Sequence, residues 1–122
     1  MLTYKPVPFY YIDTTDPSEL SPEAAAVAMR RMREAGYGGI VFFNKPPTGF
    51  DHNGYLSDAW FDACGNFLRA AKAEGLEFWI NDGHDYPPGD AAGRILAANK
   101  NLCQLRLALQ DDGTVADRKS VV

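Results

Sequence analysis

The stretch "GGIVFFN", residues 38–44, decides the fold class of this chain. Its four consecutive apolar residues, 40–43, form a run that is too short for a helix and rich in strand-forming types. A strand that is apolar at every position is typical of a parallel sheet covered on both faces. The glycines before the run mark its beginning. We therefore predict a buried parallel strand over 38–44.

Helix signals flank this strand on both sides. Upstream, Ser21 is a candidate N-cap with Pro22 at the first helical position, and Gly36 is expected to end the helix in a left-handed conformation. Downstream, Ser57 is expected to cap a second helix, which Gly75 stops. The apolar, core-facing side of this second helix is predicted to consist of Trp60, Phe61, Cys64, Phe67, Leu68 and Ala71. Each helix is predicted to pass through a glycine directly into the next strand.

Two more apolar, aromatic runs, 8–13 and 76–82, predict strands before the first helix and after the second. The resulting order is β-α-β-α-β, which places the chain in the α/β class. Beyond residue 90 the pattern weakens. Residues 91–101 favour a short helix, 102–110 a strand, and the turn-forming segment 111–114 predicts a hairpin with a second strand.

Length limits how much of an α/β fold the chain holds. Its 122 residues suit one domain. A closed (β/α)8 barrel needs about 250 residues, so the chain holds roughly three of the eight βα units. We expect either a small open sheet or part of a larger protein, and the partial hairpin near the end favours a truncated piece.

Composition excludes several classes of partner. The net charge is −4, the isoelectric point is near 5.0, and no stripe of basic residues exists. We therefore expect no nucleic-acid partner. No apolar run approaches the ~20 residues of a membrane span, and the N-terminus does not read as a signal peptide, so the chain as given is expected in the cytoplasm. Cys64 is expected to be a reduced thiol in the core.

The loops that follow the predicted strands are long, whereas those that follow the helices are minimal. In α/β barrels and doubly wound sheets, function lies at the carboxyl ends of the strands. Polar side chains cluster there in three groups: Asp13 with Thr14 and Thr15; Asn44 and Lys45 with Asp51 and His52; and Asn81, Asp82, His84, Asp85 and Tyr86.

These groups permit several chemistries. Asp82 and Asp85 could form the carboxylate pair that glycoside hydrolysis requires, with solvated loop carboxylates as the alternative. Histidines near aspartates could bind a metal, but no ligand spacing matches a known motif, so we predict no metal site. Tyr55 and Tyr86, in the loops, offer rings that could stack on a sugar.

Over residues 8–110 the chain resembles the opening of the catalytic barrel of α-L-rhamnosidase-like glycoside hydrolases. The resemblance rests on several segments in the same order, among them "PFYYID" (8–13), "REAGYGGIVFFNKP" (33–46), "GYLSDAWFDAC" (54–64) and "AKAEGLEFWINDGHDYPPGDAAGRIL" (71–96). It implies a TIM barrel of which residues 1–122 form a single partial domain, with 102–122 starting an extra hairpin. Family members are often secreted or periplasmic.

The resemblance also implies a function, the hydrolysis of O-glycosidic bonds in plant or microbial glycans. It places the catalytic acid and base downstream, so no catalytic residue is expected in this chain, and the isolated chain is expected to be inactive. Any calcium ligands are likewise expected outside it, and no cofactor is evident. The chain departs from the family pattern at Asn81, Gly83, Tyr86 and Pro88. The expected substrate-binding residues are Asp82, Asn81, His84, Asn44, Asp13 and Tyr86.

The expected partners are a carbohydrate substrate and either the rest of the barrel or another copy of the chain. Two other interpretations remain open. The chain could be a small stand-alone α/β domain that binds a polar ligand at the same strand ends without turnover. It could also be an inactive truncated fragment.

Overall fold

The structure is a computed structural model, and it describes residues 4–85, 91–102, 105–109 and 115–119. The chain divides into two compact units, Met1–Ala92 and Gly93–Val122. We call them unit one and unit two and describe each by itself.

Unit one is a three-stranded parallel sheet with two helices. The β-α-β-α-β order is confirmed, and the strands lie in the order β1-β2-β3. All neighbours are parallel, with Tyr11 opposite Phe43 and Val41 opposite Trp79. The fold is therefore α/β, as predicted. The elements are β1 (Phe9–Ile12), α1 (Pro22–Glu34), β2 (Gly39–Asn44), α2 (Asp58–Ala73) and β3 (Glu77–Ile80).

Both helices begin and end where the sequence predicts. The Ser21 hydroxyl accepts a hydrogen bond from the Ala24 amide at 3.1 Å, and Ser57 does the same for Trp60 at 3.4 Å. Gly36 and Gly75 follow the helices with φ of 88° and 69°, a conformation that costs glycine little. The chain therefore turns directly from each helix into the next strand.

The core lies between the sheet and the two helices. Phe42 at the centre of β2 is fully buried, and its ring contacts those of Trp60, Phe67 and Phe78 at centroid distances of 5.7–6.1 Å. Cys64 is buried here as a free thiol, as expected. The members of the core that the sheet and helices share are Ile12, Ala25, Met29, Ile40, Phe42, Trp60, Ala63, Phe67 and Ala71.

The buried face of α2 is narrower than the sequence pattern predicts. Phe61 and Leu68 were expected to join it, but they are 55% and 46% exposed. Each follows a buried aromatic residue, Trp60 or Phe67, and one step along a helix rotates a side chain by about 100°. Since α2 packs on the sheet and α1 from one side only, that rotation carries Phe61 and Leu68 into solvent.

Among the described residues of unit one, the second face of the sheet carries aromatic side chains and no helix. Phe9, Tyr11 and Trp79 are 58%, 52% and 58% exposed. Phe43 between them is buried because the rings of Phe9 and Tyr11 pack edge-on against it, each at a centroid distance of 5.5 Å. We call these four residues, with Val41, the open face. The expectation that both faces of the sheet are covered holds for most of β2 but not for its neighbours.

Unit two contains a short helix and a hairpin. Helix α3 (Arg94–Ala98) is followed by a 3-10 turn at Lys100–Leu102. Strands β4 (Leu105–Leu109) and β5 (Val115–Lys119) pair in antiparallel fashion. The predicted hairpin is thus confirmed, while the predicted turn at 111–114 lies outside the described residues.

Candidate functional site

The carboxyl ends of the three parallel strands form one edge of the sheet. The backbone ladder continues one residue past two of them, because the Lys45 amide donates to the Ile12 carbonyl at 2.9 Å and the Asn81 amide donates to the Phe42 carbonyl at 3.0 Å. Side chains that follow the strands are therefore attached to an ordered backbone. The predicted site residues along this edge and the loops leaving it are Asp13, Asn44, Asn81, Asp82 and His84.

Asn44 joins the two loops that leave this edge. Its side chain is buried, and Nδ2 donates to the carbonyls of Phe50 at 2.8 Å and His84 at 2.9 Å. Its Oδ1 accepts a hydrogen bond from the Phe50 amide at 2.8 Å. The loop after β2 is thereby tied to the segment after β3. Asn44, predicted to bind substrate, uses its amide within the chain.

His84 is buried in the same loop cluster. Its Nε2 lies 3.0 Å from the Phe50 carbonyl oxygen, and since a carbonyl only accepts, we assign the proton to Nε2. The imidazole stacks on that of His52 with centroids 4.6 Å apart, and its other neighbour is the Tyr55 ring at 5.3 Å. His84 therefore helps to close the cluster, whereas His52 is exposed.

Tyr55 fixes the backbone next to the predicted contact residue Asp82. The Tyr55 hydroxyl donates to the Asp82 carbonyl at 3.0 Å, and its ring packs edge-on against Trp60 at 5.3 Å. From the sequence, the Tyr55 ring was predicted to be available for stacking on a sugar. It is not, because Tyr55 is only 3% exposed. Asp82 itself is exposed, so its carboxylate faces solvent from a backbone held in place.

Asn81 carries a side-chain donor that has no partner among the residues the structure describes. Its Nδ2 is buried, yet no hydrogen-bond partner for it lies among the described residues. A buried amide nitrogen without a partner is uncommon, and it leaves one donor to be satisfied beside Asp82. The main chain of Asn81 is fixed by the β2 hydrogen bond described above.

Asp13 stands at the end of β1 and is exposed. The pKa of the Tyr10 hydroxyl is raised, mainly by burial and to a smaller extent by the negative charge of Asp13. The positive charge of Arg31 acts in the opposite direction. Asp85, the other member of the predicted carboxylate pair, is partly buried. Tyr86, predicted to bind substrate, lies outside the described residues.

The loop after β2 has a steric requirement for glycine that was not predicted from the sequence. A Cβ at Gly49 would overlap the Ile12 carbonyl oxygen and would lie 2.9 Å from Asn44 Oδ1. Only glycine therefore allows the loop to fold back over the strand ends, where Phe50 meets Asn44 and His84. The only signal in the sequence is the glycine itself, between a Pro-Pro pair and an aromatic residue.

The open face borders the carboxyl edge through Lys45. A groove of about 340 Å³ is lined by Phe9, Tyr11, Phe43 and Lys45. The Lys45 ammonium lies 5.8 Å from the centre of the Tyr11 ring, within the range of a cation–π contact. Three aromatic rings and one cation thus form this part of the surface.

The described residues include no group of three or more histidines, cysteines, aspartates or glutamates placed to hold a metal ion. Within the same residues, no helix has the length and apolar character needed to cross a membrane.

Comparisons with family models, with curated proteins and with solved structures found no match to this chain. The carboxyl edge of the sheet, where Asp82 presents an exposed carboxylate, is the candidate site in the described structure.

Proposed function

We propose that unit one is the opening of a (β/α)8 barrel in a glycoside hydrolase of the α-L-rhamnosidase-like kind, and that Asp82 contacts sugar hydroxyls at its carboxyl edge. The observation that supports this best is Asp82 itself. Tyr55 holds its carbonyl at 3.0 Å, while its carboxylate is exposed at the end of a parallel strand. Sites in parallel α/β folds form at this edge.

Asp82 suits a sugar chemically. A carboxylate accepts hydrogen bonds from hydroxyl groups, and such charge-assisted bonds are roughly twice as strong as neutral ones. Asn81, the neighbouring residue that the sequence suggested as a second contact, has its Nδ2 buried. We assign Asn81 to positioning, because its backbone amide donates to the Phe42 carbonyl and so fixes the backbone next to Asp82.

Asn44 and His84 take a different part in this proposal from the one the sequence suggested. The Asn44 amide is engaged with the backbone of Phe50 and His84, and His84 Nε2 with the Phe50 carbonyl. We assign them to positioning: they hold the loop after β2 against the segment that carries Asp82. Asp13 remains a contact residue of the proposal because its carboxylate is exposed at the same edge.

Glycoside hydrolysis needs two carboxyl groups on opposite sides of the scissile bond. In the proposal this chain supplies contacts to the sugar, and the acid and base belong to further βα units of the barrel. The 122-residue chain is accordingly expected to bind sugars and not to hydrolyse them.

A stand-alone ligand-binding domain is the second candidate. It is favoured by the core of unit one, which is built by the sheet and its own two helices, and by the Asn44 hydrogen bonds that fix the edge without any further element. Both candidates predict binding at Asp82. They differ in turnover, which only the hydrolase proposal expects once the remaining βα units are joined to this segment.

The test is an amide NMR titration of the ¹⁵N-labelled chain with a panel of monosaccharides that includes L-rhamnose. We expect saturable shifts in the millimolar range at residues 81–84 for at least one sugar. Asp82→Ala should weaken the binding that they report by about fivefold or more. Asp62→Ala, which removes another exposed carboxylate from α2, should leave the affinity unchanged. Shifts that are absent for every sugar, or that saturate with the same affinity in Asp82→Ala, would overturn the proposal.

A further inference from the structure

The open face requires an explanation because parallel sheets are almost always covered on both faces. Here α1 and α2 cover one face, and the other presents Phe9, Tyr11 and Trp79, each more than half exposed. Contiguous apolar surface of this kind marks an interaction site. We propose that in the 122-residue chain a second copy covers the open face, with the two sheets related by a twofold axis and their strands antiparallel.

The charges at the two ends of the sheet favour this arrangement. Lys45 follows β2 at the carboxyl end, and Glu77 begins β3 at the amino end, opposite Gly39. With antiparallel strands, the Lys45 end of one copy lies over the Glu77 end of the other. With parallel strands, Lys45 would meet Lys45 of the second copy, which is unfavourable. A twofold axis repeats the favourable pair twice.

The aromatic side chains also match across such an axis. Because Phe9 and Tyr11 alternate along β1, antiparallel strands bring Phe9 of one copy over Tyr11 of the other. Their rings are already ordered, lying 6.3 Å apart at an interplanar angle of 22°. The Trp79 indole is held as well, since its Nε1 donates to the Glu77 carboxylate at 2.9 Å. Ordered side chains lose less entropy on association.

The area is sufficient for a weak dimer. An aromatic side chain can bury 150–250 Å². The exposed fractions of Phe9, Tyr11 and Trp79 then amount to roughly 500–800 Å² over two copies. Coverage of Val41, Lys45 and Glu77 brings the total near the roughly 1,000 Å² expected of a specific interface. We therefore expect a weak dimer whose population depends on the concentration of the chain.

This inference goes beyond the proposed function, because it concerns the open face and not the Asp82 contact. If further βα units completed a barrel, the open face would line its interior and a second copy would not cover it. The two proposals also fail separately: sugar shifts at Asp82 report on the first, and the mass of the chain in solution reports on the second.

Sedimentation equilibrium of the 122-residue chain over a wide concentration range is the test. We expect a reversible monomer–dimer equilibrium with a monomer of 13.4 kDa. Phe9→Ser and Trp79→Ser should each weaken dimerisation at least tenfold. Phe61→Ser is the matched control, since this ring is 55% exposed on α2, outside the interface, and its loss should change nothing.

A charge exchange tests the orientation of the two copies. Lys45→Glu alone and Glu77→Lys alone should each weaken the dimer. The double variant also loses the Trp79–Glu77 hydrogen bond and the Lys45–Tyr11 contact, so it should dimerise more tightly than either single variant but less tightly than the wild type. A monomer at every concentration, aggregates of undefined size, or equal effects of Phe61→Ser and Trp79→Ser would overturn the dimer. A double variant that dimerises no more tightly than the single variants would overturn the antiparallel arrangement.

Discussion

Removal of the Asn44 side chain should destabilise unit one strongly. Asn44→Ala deletes three hydrogen bonds, to the Phe50 amide, the Phe50 carbonyl and the His84 carbonyl. The Phe50 carbonyl keeps its bond from His84 Nε2, whereas the other two groups lose a partner inside the loop cluster. An orphaned buried group costs about 1–3 kcal/mol, so with two such groups we expect the free energy of unfolding to fall by about 2–6 kcal/mol.

Urea unfolding followed by tryptophan fluorescence measures this change. Asn66→Ala is the control, because Asn66 Nδ2 makes one bond to the backbone, to the Leu20 carbonyl at 2.9 Å. We expect a loss of about 0.5–1.5 kcal/mol for the control. Hydrogen exchange adds a local reading: the Phe50 amide should be protected in the wild type and exchange rapidly in Asn44→Ala. Equal losses of unfolding free energy in Asn44→Ala and Asn66→Ala, or an unchanged exchange rate of the Phe50 amide, would show that the Asn44 hydrogen bonds do not stabilise the loop cluster.

Three other predictions concern single positions. Gly49→Ala should lower the free energy of unfolding by about 2 kcal/mol or more, because the added Cβ would overlap backbone atoms. Gly65→Ala should raise it by about 0.5–1 kcal/mol, since Gly65 lies mid-helix and its Cβ would meet only the flexible end of Arg69. Thermal unfolding of the two variants measures the difference. Burial raises the pKa of the Cys64 thiol, so this thiol should react slowly with a disulfide reagent in the native state. In a Cys103→Ser background, the rate at about pH 8 should be at least tenfold lower in the native state than in urea. Equal rates would contradict the burial of Cys64. The raised pKa of Tyr10 means that the folded state holds this proton more tightly, so stability should fall as pH rises above about 10, and the fall should be smaller in Tyr10→Phe; an identical pH profile would argue against it.

Local signals predicted most of the fold. Ser21 and Ser57 lie at the helix starts, Gly36 and Gly75 follow the helix ends, and the apolar run 38–44 contains β2. Each of these features acts over a few residues, so the pattern of the chain is enough to identify it. The strand order follows with little more information, because β-α-β units bring successive strands together in parallel.

The site was less predictable, because its contacts join distant residues. Asn44 meets the backbone of His84 forty positions away, and Tyr55 meets that of Asp82 twenty-seven positions away. Nothing in the local sequence distinguishes an asparagine that holds a loop from one that binds a ligand. For the same reason, the sequence suggested an exposed ring at Tyr55, which is buried against Trp60.

The exposed aromatics were also missed for a physical reason. Phe9, Tyr11 and Trp79 have the composition of core residues, and an apolar residue in a short strand has the same local pattern whether its face of the sheet is covered or exposed. Phe61 was assigned to the core on the same grounds and lies in solvent.

The proposed function depends most on hydrogen bonds from sugar hydroxyls to the exposed carboxylate of Asp82. Calorimetry of the wild type and of Asp82→Ala, with the monosaccharide that gives the largest amide shifts, measures their contribution. We expect the variant to lose about 1–3 kcal/mol of binding free energy, while Asp62→Ala loses none. Equal affinities of the wild type and Asp82→Ala would contradict the proposed function.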